Sequence, residues 1–157
     1  MPINDQSPVS RAELFEKTRW ADDFSWHEIR TLSHYLVFNR VRKEDQIVRE
    51  GDTEAFLCII VNGSVNVVKK DSDEHQKKLS VIRSGETFGE MSLFDDEPRS
   101  ASIIAAEDTE MLILTNENLA LLISERPGLG AKLLLKLGRI LSRRLRLASG
   151  KLIDHLG

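Results

Sequence analysis

Residues 88–102 hold the densest set of groups able to do chemistry: Phe88-Gly89-Glu90-Met91-Ser92-Leu93-Phe94, then Asp95-Asp96-Glu97, then Pro98-Arg99-Ser100-Ala101-Ser102. A glycine ahead of Glu90 lets the backbone approach a ligand closely. A helical turn starting there aims free amides outward, where they favour an anion. Arg99 offers a planar fork of donors suited to phosphate oxygens. Ser100 adds a hydroxyl donor, and Glu90 is an acceptor of the kind sugar hydroxyls require. Together these groups suit a ligand that carries both a phosphate and a free hydroxyl. Taken singly they are ordinary: Gly89-Glu90 is a turn, and Arg99 is a surface or ion-paired arginine. The adjacent acids at 95–97 lack the alternate spacing of a cation-wrapping loop, so they read as solvated loop and no metal is expected.

The elements around this segment follow from composition and period. The chain has 157 residues, 41% hydrophobic and 30% charged, with a net charge of -3. That fits one domain with a real core and gives no global basic field to attract nucleic acid or anionic lipid. The apolar run 56–61 is far shorter than the ~20 residues a membrane-spanning helix needs. The polar start of the chain does not read as a signal peptide, and the lone Cys58 suits a reducing compartment, so a cytoplasmic setting is expected. The four histidines, His27, His34, His75 and His155, are scattered, which argues against a metal-dependent enzyme on a β fold.

Residues 1–36 read as an N-terminal helical cap. Ser10-Arg11-Ala12-Glu13 and Ser25-Trp26-His27-Glu28 both have capping-box spacing. The first helix would bury Leu14 and Phe15, and the second Ile29, Leu32 and Leu36. Residues 37–115 read as short β segments at 47–48, 56–61, 65–68, 79–82, 102–105 and 111–114, separated by glycine turns at 50–52, 62–64 and 84–86. The mixed-charge stretch 69–78 reads as a long hairpin loop. Residues 116–157 return to helical period, with one short helix to Arg126, a break at Pro127, and one long helix from 128 to 156. The fold expected is mainly β with flanking helices: a jelly-roll-like β-roll, with N-terminal helices and a long C-terminal helix. The long helix carries two apolar stripes. Leu133, Leu137 and Ile140 form one; Leu141, Leu145, Ala148 and Leu152 form the other. Two stripes imply two apolar neighbours, the roll and a second copy of the helix in a homodimer, unless both fold onto the chain's own core.

The segment 88–101 resembles the phosphate-binding cassette of cyclic nucleotide-binding domains, whose pattern is Phe-Gly-Glu-x-Ala-Leu, a spacer, then Pro-Arg-x-Ala. Phe88-Gly89-Glu90, Leu93 and Pro98-Arg99-Ser100-Ala101 match, and Ser92 stands at the small-residue position. The resemblance extends over nearly the whole chain, including the turns at 50–52 and 62–64 and the order of the helices. It implies that Glu90 accepts from the ribose 2'-hydroxyl, that Arg99 pairs with the cyclic phosphate, and that Ser100 reaches it too. Amides near Gly89 and Ser92 would complete the cradle. Val67, Leu79, Ser80, Phe88, Met91 and Ala101 fall at positions that usually line the pocket, although Val67 and Leu79 read equally as plain roll core. The long helix resembles that of the bacterial cAMP receptor group, where a Thr-Ser pair faces the purine. Here Ala148 has lost one hydroxyl and Ser149 keeps the other. At Lys43-Glu44-Asp45, where the family commonly has a glycine turn, only a local difference is expected.

The function this implies is a non-enzymatic sensor of a cyclic nucleotide, cAMP before cGMP, that signals by movement of the long helix. The alternatives are a degenerate domain serving as an interaction scaffold, or the sensor half of a truncated transcription regulator. The sequence stops at Gly157, eight residues past Ser149, which leaves no room for a helix-turn-helix. If the chain natively ends there, output is expected to pass through an effector protein or through dimer geometry, with no direct nucleic-acid contact. Arg139, Arg143, Arg144 and Arg146 read as a solvated helix face.

Overall fold

Strands 56–61 and 111–114 are apolar at every position, and the structure shows why: each is buried on both faces. The computed structural model describes residues 8–156 other than Asp96, and side chains from 11 to 150. The Ser10 hydroxyl, Asp96, and the side chains of Leu152 and His155, all invoked above, lie outside the described residues. The chain begins with α1 (Pro8–Glu16), a 3-10 turn (Arg19–Asp23) and α2 (Trp26–Ser33). Eight strands follow: β1 (Val37–Val41), β2 (Gln46–Val48), β3 (Phe56–Asn62), β4 (Ser64–Lys70), β5 (Gln76–Arg83), β6 (Thr87–Phe88), β7 (Ser102–Ala105) and β8 (Thr109–Thr115). A second 3-10 turn (Met91–Leu93) lies between β6 and β7, and α3 (Asn116–Glu125) and α4 (Pro127–Leu156) close the chain. The strands form two antiparallel sheets, ordered β1-β8-β3-β6 and β2-β7-β4-β5. This is the jelly-roll-like β-roll with flanking helices that the pattern suggested.

Side chains alternate across each strand, so the roll has an inner and an outer core. Phe56, Cys58 and Ile60 of β3 point inward with Val41, Val65, Phe88, Met111 and Ile113. Leu57, Ile59 and Val61 point outward, with Leu112 and Leu114, beneath Phe15, Ile29, Leu32, Leu119, Leu133 and Leu137 of the helices. Each such buried aliphatic side chain contributes roughly 1.5–3 kcal/mol. The outer core fixes α4 over the sheet that carries β6, and so beside the cassette.

Four details depart from the sequence reading. The stretch 69–78 is mostly strand, because β4 and β5 pair from Ser64↔Arg83 out to Lys70↔Gln76 and leave only a short turn. Its lysines are solvated on both faces, so no alternation marked them as strand. Helix α1 starts at Pro8, where a missing amide proton is no loss, and Ser10 lies inside it rather than at its cap. The second capping box is present: Glu28 N donates to Ser25 Oγ at 3.2 Å, and Ser25 N donates to Glu28 Oε1 at 2.9 Å. Leu36 is buried as expected but lies beyond the end of α2. Strands β1 and β6 carried too little alternation to be read.

Helix α4 is tied down along its first half. Lys132 Nζ pairs with Glu28 at 2.8 Å and sits 5.1 Å from the centre of the Phe24 ring. Lys136 pairs with Asp23 and lies 5.1 Å from the Trp20 ring centre. Leu133 and Leu137 are buried and Ile140 is half-buried. In the second stripe Leu141 is half-buried, while Leu145 and Ala148 are exposed, so the chain's own core does not cover that stripe. Among the described residues no helix is long and apolar enough to cross a membrane.

Candidate functional site

The cassette starts where β6 runs out of the inner core. Phe88 is buried there, edge-on to Phe56 with ring centres 6.5 Å apart, so its part is packing. Gly89 then takes a φ of +86°, and a Cβ at this position would overlap the Phe56 carbonyl oxygen and stand 2.9 Å from Arg99 Nη1. Only glycine meets both demands. The chain turns through Met91–Leu93, held by Ser92 Oγ donating to Gly89 O at 2.6 Å and by the Ser92 amide donating to the same oxygen at 3.2 Å. Ser92 therefore serves the turn, and its amide is engaged rather than free.

Arg99 is held from three sides. Its amide donates to Asp52 O at 2.7 Å and its carbonyl accepts from Gly51 N at 2.8 Å, which gives the 50–52 turn a positioning role. Its guanidinium lies 4.7 Å from the Phe56 ring centre, and Nη2 donates to Phe56 O at 3.1 Å. Its Nε is buried and has no partner. Burial pulls the Arg99 pKa below its usual value, with Glu54, Cys58 and Asp52 opposing. A half-buried cation with an unused donor is a site poised for an anion. Nearby Cys58 is fully buried, and burial holds its thiol protonated, with Arg99 opposing.

Glu90 is 2% exposed. Its Oε1 accepts from Thr87 Oγ1 at 3.0 Å and from Arg144 Nη1 of α4. Arg144 Nη2 also donates to Thr87 O at 3.0 Å. Burial lowers the Arg144 pKa, with Glu86 opposing. Arg144 keeps part of the solvent exposure expected of it, but its guanidinium is committed to Glu90 and Thr87, which the reading as a plain solvated face left out. The signal was present: Leu133, Leu137 and Ile140 are spaced four and three apart, and the next position of that stripe is 144.

Glu90 and Arg99 stand at the two ends of the loop 91–98, with Arg99 Nη1 lying against Gly89, Ser100 exposed and Ala101 half-buried beyond it. On the facing sheet Val67 is half-buried against the inner core. The register there steps from Val67↔Ser80 to Val68↔Lys78, so Leu79 is the extra residue of a bulge. Leu79 is 56% exposed and Ser80 is exposed, so Leu79 is not roll core. Met91 is 65% exposed. Ser149 is exposed, and at 100° per residue it lies about 140° round α4 from Arg144. The structure does not bring it to the face that meets Glu90. Asp71, Asp73 and His75 cluster on the β4–β5 turn, but Asp71 Oδ1 accepts from the Asp73 and His75 amides at 2.9 Å, the geometry of a turn.

Comparison with known proteins agrees with this architecture. Residues 38–126 match the family model for the cyclic nucleotide-binding domain. The chain is 37% identical over 100 residues to the cyclic AMP receptor protein of Thermus thermophilus, covering 64% of this chain and 44% of that protein. It is 38% identical over 77 residues to human cGMP-dependent protein kinase 2, covering 48% of this chain and 10% of the kinase. Its fold is similar to a solved cyclic nucleotide-binding domain from Methylobacillus flagellatus, with a TM-score of 0.78, 31% identity, and coverage of 94% of this chain and 83% of that one. The chain thus spans less than half the length of either curated relative. With the matched region running from β1 to the end of α3 and enclosing Glu90 and Arg99, the chain belongs to the cyclic nucleotide-binding domain family.

Proposed function

We propose that this domain senses a cyclic nucleotide, cAMP in the first instance, and signals through α4 rather than by catalysis. Arg99 takes the cyclic phosphate, with Ser100 beside it, and Glu90 accepts from the ribose hydroxyl. Val67, Leu79, Ser80 and Ala101 flank the purine. The observation that carries the reading is the half-buried Arg99 guanidinium with its unpartnered Nε, lying against Gly89, the residue before the buried Glu90. A scaffold needs neither. The resemblance to a cyclic AMP receptor protein favours cAMP, and the kinase match makes cGMP the comparison ligand.

The route to α4 runs through Arg144. A ribose hydroxyl reaching Glu90 meets a carboxylate already held by the helix, so ligand and helix share one acceptor. The ligand shifts α4 only by its difference in affinity for the two helix positions. The uncovered leucine stripe pairs α4 with a second copy, in a cytoplasmic homodimer whose output passes to an effector protein without direct contact to nucleic acid.

Calorimetric titration of the refolded, ligand-stripped chain with cAMP and cGMP tests this. One saturable site per chain is expected. Arg99→Ala, which removes a charge-assisted pair, should weaken binding at least ~10-fold while the far-UV spectrum is retained. Unchanged affinity in that variant would remove the phosphate assignment.

A further inference from the structure

Helix α4 has a third face that serves neither the roll nor the leucine stripe. Residues 127–150 carry six cations, Lys132, Lys136, Arg139, Arg143, Arg144 and Arg146, and no Asp or Glu, in a chain of net charge -3. Three are taken up within the fold: Lys132 by Glu28, Lys136 by Asp23 and Arg144 by Glu90. Arg139, Arg143 and Arg146 are exposed and make no ion pair among the described residues. Spaced four and three apart, they form a single ridge about 10 Å long. It lies roughly 180–240° round the helix from the buried Leu137, on the side away from the roll. Like charges at these spacings repel, so the ridge costs the isolated helix stability. With Ser142 and Leu147 the three arginines line a shallow groove of about 390 Å³. Leu135 and Leu147, 63% and 59% exposed, flank it.

We infer that this ridge docks an acidic amphipathic segment of a partner protein. Carboxylates at helical spacing would meet the three guanidinium forks, and apolar side chains would cover Leu135 and Leu147. Arginine suits such contacts because its planar fork takes a carboxylate with two parallel bonds. The flanking leucines favour a protein: a duplex backbone gives them no apolar counterpart, and a single strand would draw on stacking aromatics that this ridge lacks. The face is distinct from the stripe that pairs two copies, so a dimer presents the ridge twice. The inference rests on the proposed output to an effector protein and supplies the surface for it.

The full chain is titrated with a fluorescein-labelled helical peptide of about 18 residues that carries Glu four and three apart beside Leu, and with its Gln counterpart. Binding to the Glu peptide should weaken with added salt. It should fall at least ~10-fold for the Gln peptide and for Arg139→Glu/Arg143→Glu/Arg146→Glu, and a Lys peptide should rescue that variant. The triple Gln variant serves where the triple Glu variant misfolds. Cyclic nucleotide titration of the same variants keeps the two readings separable, since the ridge lies outside the nucleotide site and its loss should leave that affinity unchanged. Equal peptide affinity for wild type and variants would overturn the inference. So would loss of self-association on mutating the ridge, or tighter ridge-dependent binding of a DNA duplex than of the Glu peptide.

Discussion

A carboxylate withdrawn from water needs donors around it, and Glu90 has found two: the Thr87 hydroxyl from the strand just before it, and Arg144 from a helix fifty-four positions away. Arg144 itself is half-exposed, so the asymmetry lies with the acid. Arg144→Ala leaves a buried charge with one donor fewer, and urea unfolding should show a loss of about 1–3 kcal/mol. In the same variant, hydrogen exchange of the α4 amides should no longer respond to nucleotide. A response of wild-type size would disconnect the ribose site from the helix. At this scale the sequence was informative where one motif held all the partners: Gly89, Glu90 and Arg99 stand within a dozen residues. The stripe spacing put Arg144 on the buried side of α4, but neither its partner nor the parts played by Phe56 and the 50–52 turn could be read, because each reaches the cassette only through tertiary folding.

Among the elements, the turn between β1 and β2 shows a residue held against its preference. Glu44 has a φ of 75°, in the left-handed region, while its amide donates to Ala105 O at 2.8 Å and Asp45 Oδ2 accepts from Arg42 N at 2.9 Å. The backbone thus takes a left-handed turn at a residue that is not glycine. Glu44→Gly removes a left-handed strain of ~1–2 kcal/mol against a smaller entropic cost in the unfolded chain, and should raise the melting midpoint by a few degrees. A lower midpoint would mean that the Glu44 side chain stabilises the turn. The strands were legible where one face or both met a core, as in β3, β4 and β8. The outer half of the β4–β5 hairpin was not, because backbone pairing alone holds it and its side chains meet water on both sides.

Over the whole molecule, α4 joins the N-terminal helices to the cassette, and its first anchors are ionic. Lys132 and Ser25 hold the Glu28 carboxyl below its usual value of 4.5, and Lys136 holds Asp23 below 3.8. A carboxyl whose pKa is lower when folded stabilises fully above its unfolded value and loses that contribution as pH falls through the folded one. Melting should therefore be flat from pH 7 to about 5 and decline below pH 4.5. Lys132→Met with Lys136→Met should shallow that decline, because each acid then loses its largest depressing partner, leaving only Ser25 acting on Glu28 and Arg139 on Asp23. An identical acid slope in the double variant would place the pH sensitivity elsewhere, Glu110 with its Asn62 and Arg40 partners being the next group.

The Phe56 carbonyl holds the Arg99 fork in place while the Phe56 ring lies beneath it. An arginine free in water gives up several rotatable bonds when it grips a ligand, at a cost of roughly 0.5–1.5 kcal/mol per immobilised side chain. Here that freedom is already lost at folding. Capture of an anion at this position then adds an acceptor for the unused Nε of a side chain that hardly moves, and its thermodynamic signature should be enthalpic, with little ordering left to oppose it.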